Sequence, residues 1–540
     1  MPKLVDYVRK LDSQTLESLA GKTIVRAVRK VFDINNEFEL ARLVSEKYGY
    51  NALSSAELKR AIFDSFDKNI SHEYCKILGL TVQDGQFPQL ALQNYFTKSY
   101  SKKKSVQLVS LLDLPQEYIK VVFSDDREAT EVVHQSPGKM VSLRGYLHPY
   151  QKRIKDEIIE TITNRITRVM VQMPTGAGKT ATALEAAIDI FRLPFQTRFI
   201  VWVVDSNELA DQALEAFKKL WILKGDQSLK VHRLFGGFSP DFTDEVGGFV
   251  FTSFSTLWSV LSDNNHTNHT KVWSLIKSTD LLIVDEAHTS VADTYEQVIR
   301  KFIDGGTARL IGLSATPARN DPLLTQDLAR LYSNKLIQVT NETREEIVDV
   351  IKYLQDYGVL ADIKFVELES GTTSDDNQED AICRTLAEDS NRNELILKQI
   401  ELAAQLNEQT LIFSCTLDHV YALIAMCRAK SIYAEYIVGD TPQSERIKIL
   451  ERFRNSEIKI LINLDILSTG VDLPNVNRLI VTRPVGSPIL FSQILGRALR
   501  GPRNGGNSRN TLITIKDNLN NYPSANFVYR TFTAGFVSAK

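Results

Sequence analysis

The chain has 540 residues, too many for one ordinary core, so about three domains are expected. Its composition is that of a soluble globular protein, 43% hydrophobic and 24% charged, with a net charge of −2. That balance excludes a globally basic nucleic-acid binder, and any basic footprint must be local. No apolar run approaches the roughly 18 residues of a membrane span. Four scattered cysteines form no C-x-x-C pair, which argues against a disulfide framework or zinc site and for a reducing, cytoplasmic setting.

Residues 1–125 are mostly helical in pattern. Leu4, Tyr7, Val8 and Leu11 fall at helical spacing, as do Leu58, Ala61, Ile62 and Phe66 behind the possible N-caps Ser54 and Ser55. Val106–Leu112 and Tyr118–Phe123 are β-branched and aromatic enough to predict short strands. Glu57-Leu-Lys59 fits half of a nuclease pattern, but it sits in a helical run without a partner aspartate. Residues 126–143 are polar, carry a Pro-Gly turn and read as a linker. Residues 144–339 and 340–517 each alternate apolar runs with amphipathic ones, the pattern of a parallel sheet covered by helices on both faces. The polar stretch Glu367–Asp380 reads as a mobile loop, and residues 518–540 as a tail.

Two stations carry chemistry. The first is Met173-Pro-Thr-Gly-Ala-Gly-Lys-Thr180, between an apolar strand (166–173) and a helix (181–190). Pro174, Thr175, Gly176, Ala177 and Gly178 form a turn whose backbone N–H groups can face phosphate oxygens at a helix N-terminus. Lys179 can reach the β- and γ-phosphates, and Thr180 can ligate Mg²⁺. Met173 stands where such loops usually begin with glycine. The second is Leu281-Leu-Ile-Val-Asp-Glu-Ala-His288, where an apolar strand delivers two carboxylates to its C-terminal edge. There Asp285 can hold Mg²⁺ and Glu286 can orient and deprotonate water.

With these two stations the chain resembles the DEAD/DEAH-type superfamily 2 helicases, and further stations follow in family order over about residues 144–517. The resemblance implies two tandem RecA-like domains with ATP in the cleft between them. In Tyr146-Leu-His-Pro-Tyr-Gln151 it implies that Gln151 reads adenine. It assigns nucleic-acid contacts to Leu209 and Gln212, and to Thr252-Ser-Phe-Ser-Thr-Leu257 through Ser253 and Thr256. Ser314-Ala-Thr316 would couple hydrolysis to strand movement, with His288 connecting the ATP site to the motor. Ile412-Phe-Ser-Cys415 matches motif IV. Asp465–Pro474 matches motif V, with Thr469 on the strand and Gly470 and Asp472 near the nucleotide. Gln493-Ile-Leu-Gly-Arg-Ala-Leu-Arg500 matches motif VI.

Arg497 and Arg500 are three apart on a predicted helix, so they share a face and can neutralise the leaving γ-phosphate once the two domains close. Leu473–Lys516 contains no Asp or Glu but six arginines and Lys516, the expected local basic footprint. The form of motifs V and VI is closer to bacterial repair helicases and type I restriction motor subunits than to RNA-handling DEAD-box proteins. The implied function is an ATP- and Mg²⁺-dependent DNA helicase or translocase in DNA repair or antiphage defence. The alternative is an ATP-switched subunit that binds DNA, or a protein partner through its N-terminal domain, with little unwinding of its own.

Overall fold

A computed structural model describes residues 2–33, 36–82, 86–97, 102–115, 128–135, 147–164, 167–193, 198–242, 247–316, 322–439, 441, 443–464, 473, 475–485, 488–496 and 499–519. The predicted strand at Tyr118–Phe123, the tail from residue 520 on, and Thr469, Gly470, Asp472 and Arg497 lie outside them.

The N-terminal part is helical throughout its described residues, from Pro2–Val8 to Lys102–Leu111. The strand expected at Val106–Leu112 is therefore a helix. Its buried residues Ser105, Leu108, Val109 and Leu112 recur every three to four positions, a period that outweighs β-branched composition. Lys59 is buried and donates to the Phe96 carbonyl at 2.9 Å, so it is part of the packing.

The first sheet contains β1 (Thr130–Val133), β2 (Arg168–Gln172), β3 (Phe199–Val204), β4 (Leu229–Leu234), β5 (Gly248–Ser253), β6 (Thr279–Asp285), β7 (Arg309–Ser314) and β8 (Leu336–Ile337). Their spatial order is β1-β4-β5-β3-β6-β7-β2-β8. All neighbours run parallel except β1, which pairs antiparallel with β4. β3 is buried at every position, as expected for a strand covered on both faces. The predicted linker thus contains a strand. Glu131 on β1 pairs with the fully buried Arg233 and with Lys218 at 2.7 Å, which fastens this polar segment to the sheet edge.

The second sheet contains β9 (Asp362–Ser374), β10 (Thr410–Phe413), β11 (Glu435–Ile437), β12 (Ile460–Asn463), β13 (Arg478–Val481) and β14 (Arg509–Leu519), in the order β11-β12-β10-β13-β14-β9, all parallel. Most of the stretch expected as a mobile loop at Glu367–Asp380 is ordered: β9 continues to Ser374 and a helix starts at Glu379. β9 is an edge strand, half exposed, so its polar sequence hides a strand paired along β14. Arg392 and Asp517, both buried, form an ion pair at 2.9 Å inside this domain. The N-terminal helices share one apolar core with this second sheet and its helices, notably Leu417–Ala429. Among the described residues no helix is long and apolar enough to cross a membrane.

Candidate nucleotide site and its partner domain

Strand order brings the stations together. β6, β7 and β2 are adjacent, and their C-terminal ends are level: Ser314 pairs with Gln172 and Leu313 with Asp285. The phosphate loop leaves β2 and enters the helix Lys179–Phe191. Gly176 and Gly178 have φ of +84° and +83°, the left-handed region in which side chains are strained. A Cβ on Gly178 would also run into the Gln151 amide. Only glycine fits there.

Gln151, which the resemblance assigns to adenine, is hydrogen-bonded to the loop itself. Its Nε2 donates to the Ala177 carbonyl at 2.9 Å and its Oε1 accepts from the His148 N–H at 2.7 Å. Tyr150 donates to the same Ala177 carbonyl at 2.8 Å. With its amide held at both ends, Gln151 braces the loop.

The ionisable groups converge beneath the loop. Lys179 Nζ lies 3.4 Å from Glu286 Oε1 and is buried. The Thr180 hydroxyl lies 3.2 Å from Asp285 Oδ2. Burial pushes the Asp285 carboxyl up to about 6, and the adjacent Glu286 charge adds to this, against the pull of Lys179. A carboxylate so short of positive charge, beside a threonine hydroxyl, suits a divalent cation. Glu286 adopts a left-handed backbone conformation, φ +52°, between β6 and a short helical turn. His288 Nδ1 lies 3.4 Å from Glu286 Oε2 and 3.3 Å from Ser314 Oγ. Ser314 Oγ in turn accepts from the Thr316 N–H at 3.1 Å. The carboxylate expected to activate water is thereby in contact with the expected coupling motif.

The second domain faces this loop. A Cβ on Gly176 would lie 3.2 Å from Leu360 Cδ2, 3.7 Å from Leu499 Cβ and 4.0 Å from the Gly496 carbonyl. Asn504 spans the gap. Its Nδ2 donates to the Gly176 carbonyl at 3.2 Å and its Oδ1 lies 3.0 Å from His148 Nε2. His148 also packs edge-on to Tyr357, over which Arg503 stacks at 4.0 Å. Neither Asn504 nor His148 is singled out by spacing; asparagine in a Gly-rich turn looks like any loop residue.

Several expectations change. The helix of motif VI ends at Leu495, so Arg500 is not helical; it forms a bridge with Leu360 beside the loop. Gln493 precedes it, partly buried. The acid-free stretch is partly neutralised by distant acids: Arg478 pairs with Glu408, Arg483 with Glu379 and Lys516 with Glu369. Charge counted along the chain misses partners brought in by folding. Ser253 is buried, capping the helix Phe254–Ser262 and donating to Asn207 at 2.8 Å, so it supports its loop from within. Thr256 is half buried, and Gln212 is exposed.

Residues 145–319 match the family model of the type III restriction enzyme res subunit, and residues 391–502 match that of the helicase conserved C-terminal domain. The chain belongs to the superfamily 2 helicases. It is 30% identical over 370 residues to the Saccharomyces cerevisiae protein IRC3, provisionally described as an ATP-dependent helicase, covering 66% of this chain and 49% of IRC3. It is 24% identical over 365 residues to the DNA 3′–5′ translocase XPB2 of Sulfurisphaera tokodaii, covering 62% of this chain and 75% of that protein. A fragment from Vibrio vulnificus, provisionally described as the HsdR subunit of a type I restriction enzyme, has the same fold with a TM-score of 0.50 at 19% identity. That match covers 74% of this chain and 70% of the fragment. The helicase core is thus shared, while the chain spans only about half the length of relatives such as IRC3.

Proposed function

We propose that the protein hydrolyses ATP and uses closure of its two α/β domains to move along DNA or separate its strands. One observation carries this reading: the Gly176 edge of the phosphate loop is covered by Leu360, Leu499 and Asn504 of the second domain, next to Arg500. A nucleotide held by the loop therefore meets both domains, and its hydrolysis is felt by both.

In this reading Lys179 neutralises the β- and γ-phosphate oxygens. Thr180 and Asp285 would hold Mg²⁺, which supplies further charge neutralisation when bound. Glu286 orients the attacking water and accepts its proton. Arg500, with Arg497, balances the charge on the leaving γ-phosphoryl. Ser314 and Thr316 sense Glu286 through His288, and Thr256, Gln212 and Thr469 hold the strand by its phosphates. DNA is favoured over RNA by the form of motifs V and VI, and by relatives named as a DNA translocase and a restriction enzyme subunit. Repair or antiphage defence is the setting that fits such relatives.

The test is an ATPase assay with single-stranded DNA, forked duplex, blunt duplex and RNA side by side. DNA stimulation is expected, and no stimulation by any of them sinks the motor reading. Lys179→Ala and Glu286→Gln should abolish turnover; Arg500→Ala should do so while sparing ATP binding. A second reading, an ATP-controlled binding subunit, is favoured by the shared core of the N-terminal and second α/β domains, because closure would carry both. It predicts DNA or partner binding with little turnover.

A further inference from the structure

The N-terminal domain is seated on the second α/β domain by a seam of polar pairs. Arg428 donates to Glu46 at 2.8 Å, Thr23 to Glu388 at 2.9 Å, and Arg26 to Glu388 at 2.7 Å. One connection runs deeper. Asn393, fully buried, donates Nδ2 to the Ala27 carbonyl of the N-terminal domain at 3.3 Å and to the Ala387 carbonyl at 2.8 Å. Its Oδ1 lies 2.9 Å from Nε2 of the equally buried His419. His419 Nδ1 lies 3.3 Å from the backbone nitrogen of Cys415.

The proton positions follow from the backbone. The Cys415 N–H can only donate, so His419 Nδ1 is the acceptor and carries no proton. Nε2 then bears the hydrogen and donates to Asn393 Oδ1, which leaves Nδ2 for the two carbonyls. Each atom of the relay has one possible orientation. The relay begins on a carbonyl of the N-terminal domain and ends on the turn Ser414–Thr416, where β10 passes into the helix Leu417–Ala429. This is the turn at the motif IV position. Arg392 braces it from the other side, reaching Asp517, the Thr482 carbonyl and, at 3.9 Å, Cys415 Sγ.

An apolar pair in the same space would take these side-chain partners from the Ala27 and Ala387 carbonyls and the Cys415 N–H, whereas the satisfied polar network fixes one geometry among its members. We propose that Asn393 and His419 are positioning residues through which the docked N-terminal domain fixes the Ser414–Thr416 turn, and that this buried connection couples the N-terminal domain to the second α/β domain of the motor. The N-terminal domain thereby sets the DNA response of the motor. This rests on the motor reading above.

The experiment is steady-state ATPase titrated with a single-stranded DNA oligonucleotide, on the full chain. The proteins are wild type, Asn393→Ala, His419→Asn, Arg428→Ala and the Asn393→Ala/Arg428→Ala double variant, each with its melting temperature. His419→Asn keeps an acceptor for Cys415 but loses the contact with Asn393. The expected result is turnover without DNA within about twofold of wild type and a roughly tenfold rise in half-stimulating DNA in all three single variants. The double variant should be no worse than the worse single one, because both act along one route. Wild-type half-stimulation in the variants overturns the relay. So do effects that multiply in the double variant, or a lower melting temperature and lower turnover at unchanged half-stimulation, which would be packing alone. If wild type itself ignores DNA, the motor reading falls and takes the relay with it; a stimulated wild type with indifferent variants removes only the relay.

Discussion

Asn504 closes the mouth of the nucleotide cleft, and Asn504→Ala isolates what that contact does. Two cross-domain hydrogen bonds are lost, to the Gly176 carbonyl at 3.2 Å and to His148 Nε2 at 3.0 Å. A neutral hydrogen bond contributes about 0.5–1.5 kcal/mol net. Asn504 and His148 are only half buried, so water replaces part of each bond, and the lower half of that range applies. The sum is about 1.5 kcal/mol, or roughly a tenfold change in an equilibrium. The contacts exist with the domains together, so their loss should weaken the closed arrangement proposed to hold ATP. The measurement is ATP KM and kcat at saturating DNA. KM should rise about tenfold with little change in kcat, and His148→Ala should raise it about threefold, as one of the two bonds. An unchanged KM, or a fall in kcat at constant KM, would refute the closing role of Asn504.

Gly178→Ala forces a side chain into φ +83° and against Gln151, so about 1–2 kcal/mol of stability and most ATP binding should be lost; melting and a nucleotide titration check both, and intact ATP binding would contradict the loop geometry. Arg392→Met leaves Asp517 buried without its cation, which should cost about 3–5 kcal/mol in denaturant unfolding, with partial recovery in the Arg392→Met/Asp517→Asn pair. For Glu131, burial raises the pKa, but hydrogen bonds from Lys218 and Arg233 outweigh it and hold the carboxyl below its ordinary value. Its contribution is then complete above the ordinary glutamate pKa of about 4.3 and lost as pH falls through the lowered folded value. Melting curves from pH 7 to 3 should fall more steeply for wild type than for Glu131→Gln; parallel curves would show that the pair adds nothing.

The parts legible in the sequence are those whose determinants are local. A continuous apolar run must be covered on both faces, so β3 and β6 could be read directly. Gly176, Gly178, Lys179 and Thr180 declare a phosphate loop because the turn needs those residue types within a few positions. Asp285 and Glu286 stand out because an apolar strand ends on two acids. Where composition and period disagree, period decides, as in the helix Lys102–Leu111. Where a strand lies at a sheet edge, as β1 and β9 do, its polarity makes it look like a loop until its partner strand is known.

Tertiary structure alone decided how the pieces meet. The seat of the N-terminal helices on the second domain depends on pairs such as Asn393 with Ala27 and Arg428 with Glu46, hundreds of residues apart, which leave no periodic trace along the chain. The same holds for Arg478 and Arg483 of the acid-free stretch, paired with Glu408 and Glu379, and for Gln151, turned inward onto the Ala177 carbonyl. The sequence by itself determined which groups make up the candidate phosphate site, and in what order the stations come. Whether each group faces the ligand, the other domain or its own loop depends on packing and hydrogen-bond satisfaction, which exist only once distant segments are brought together.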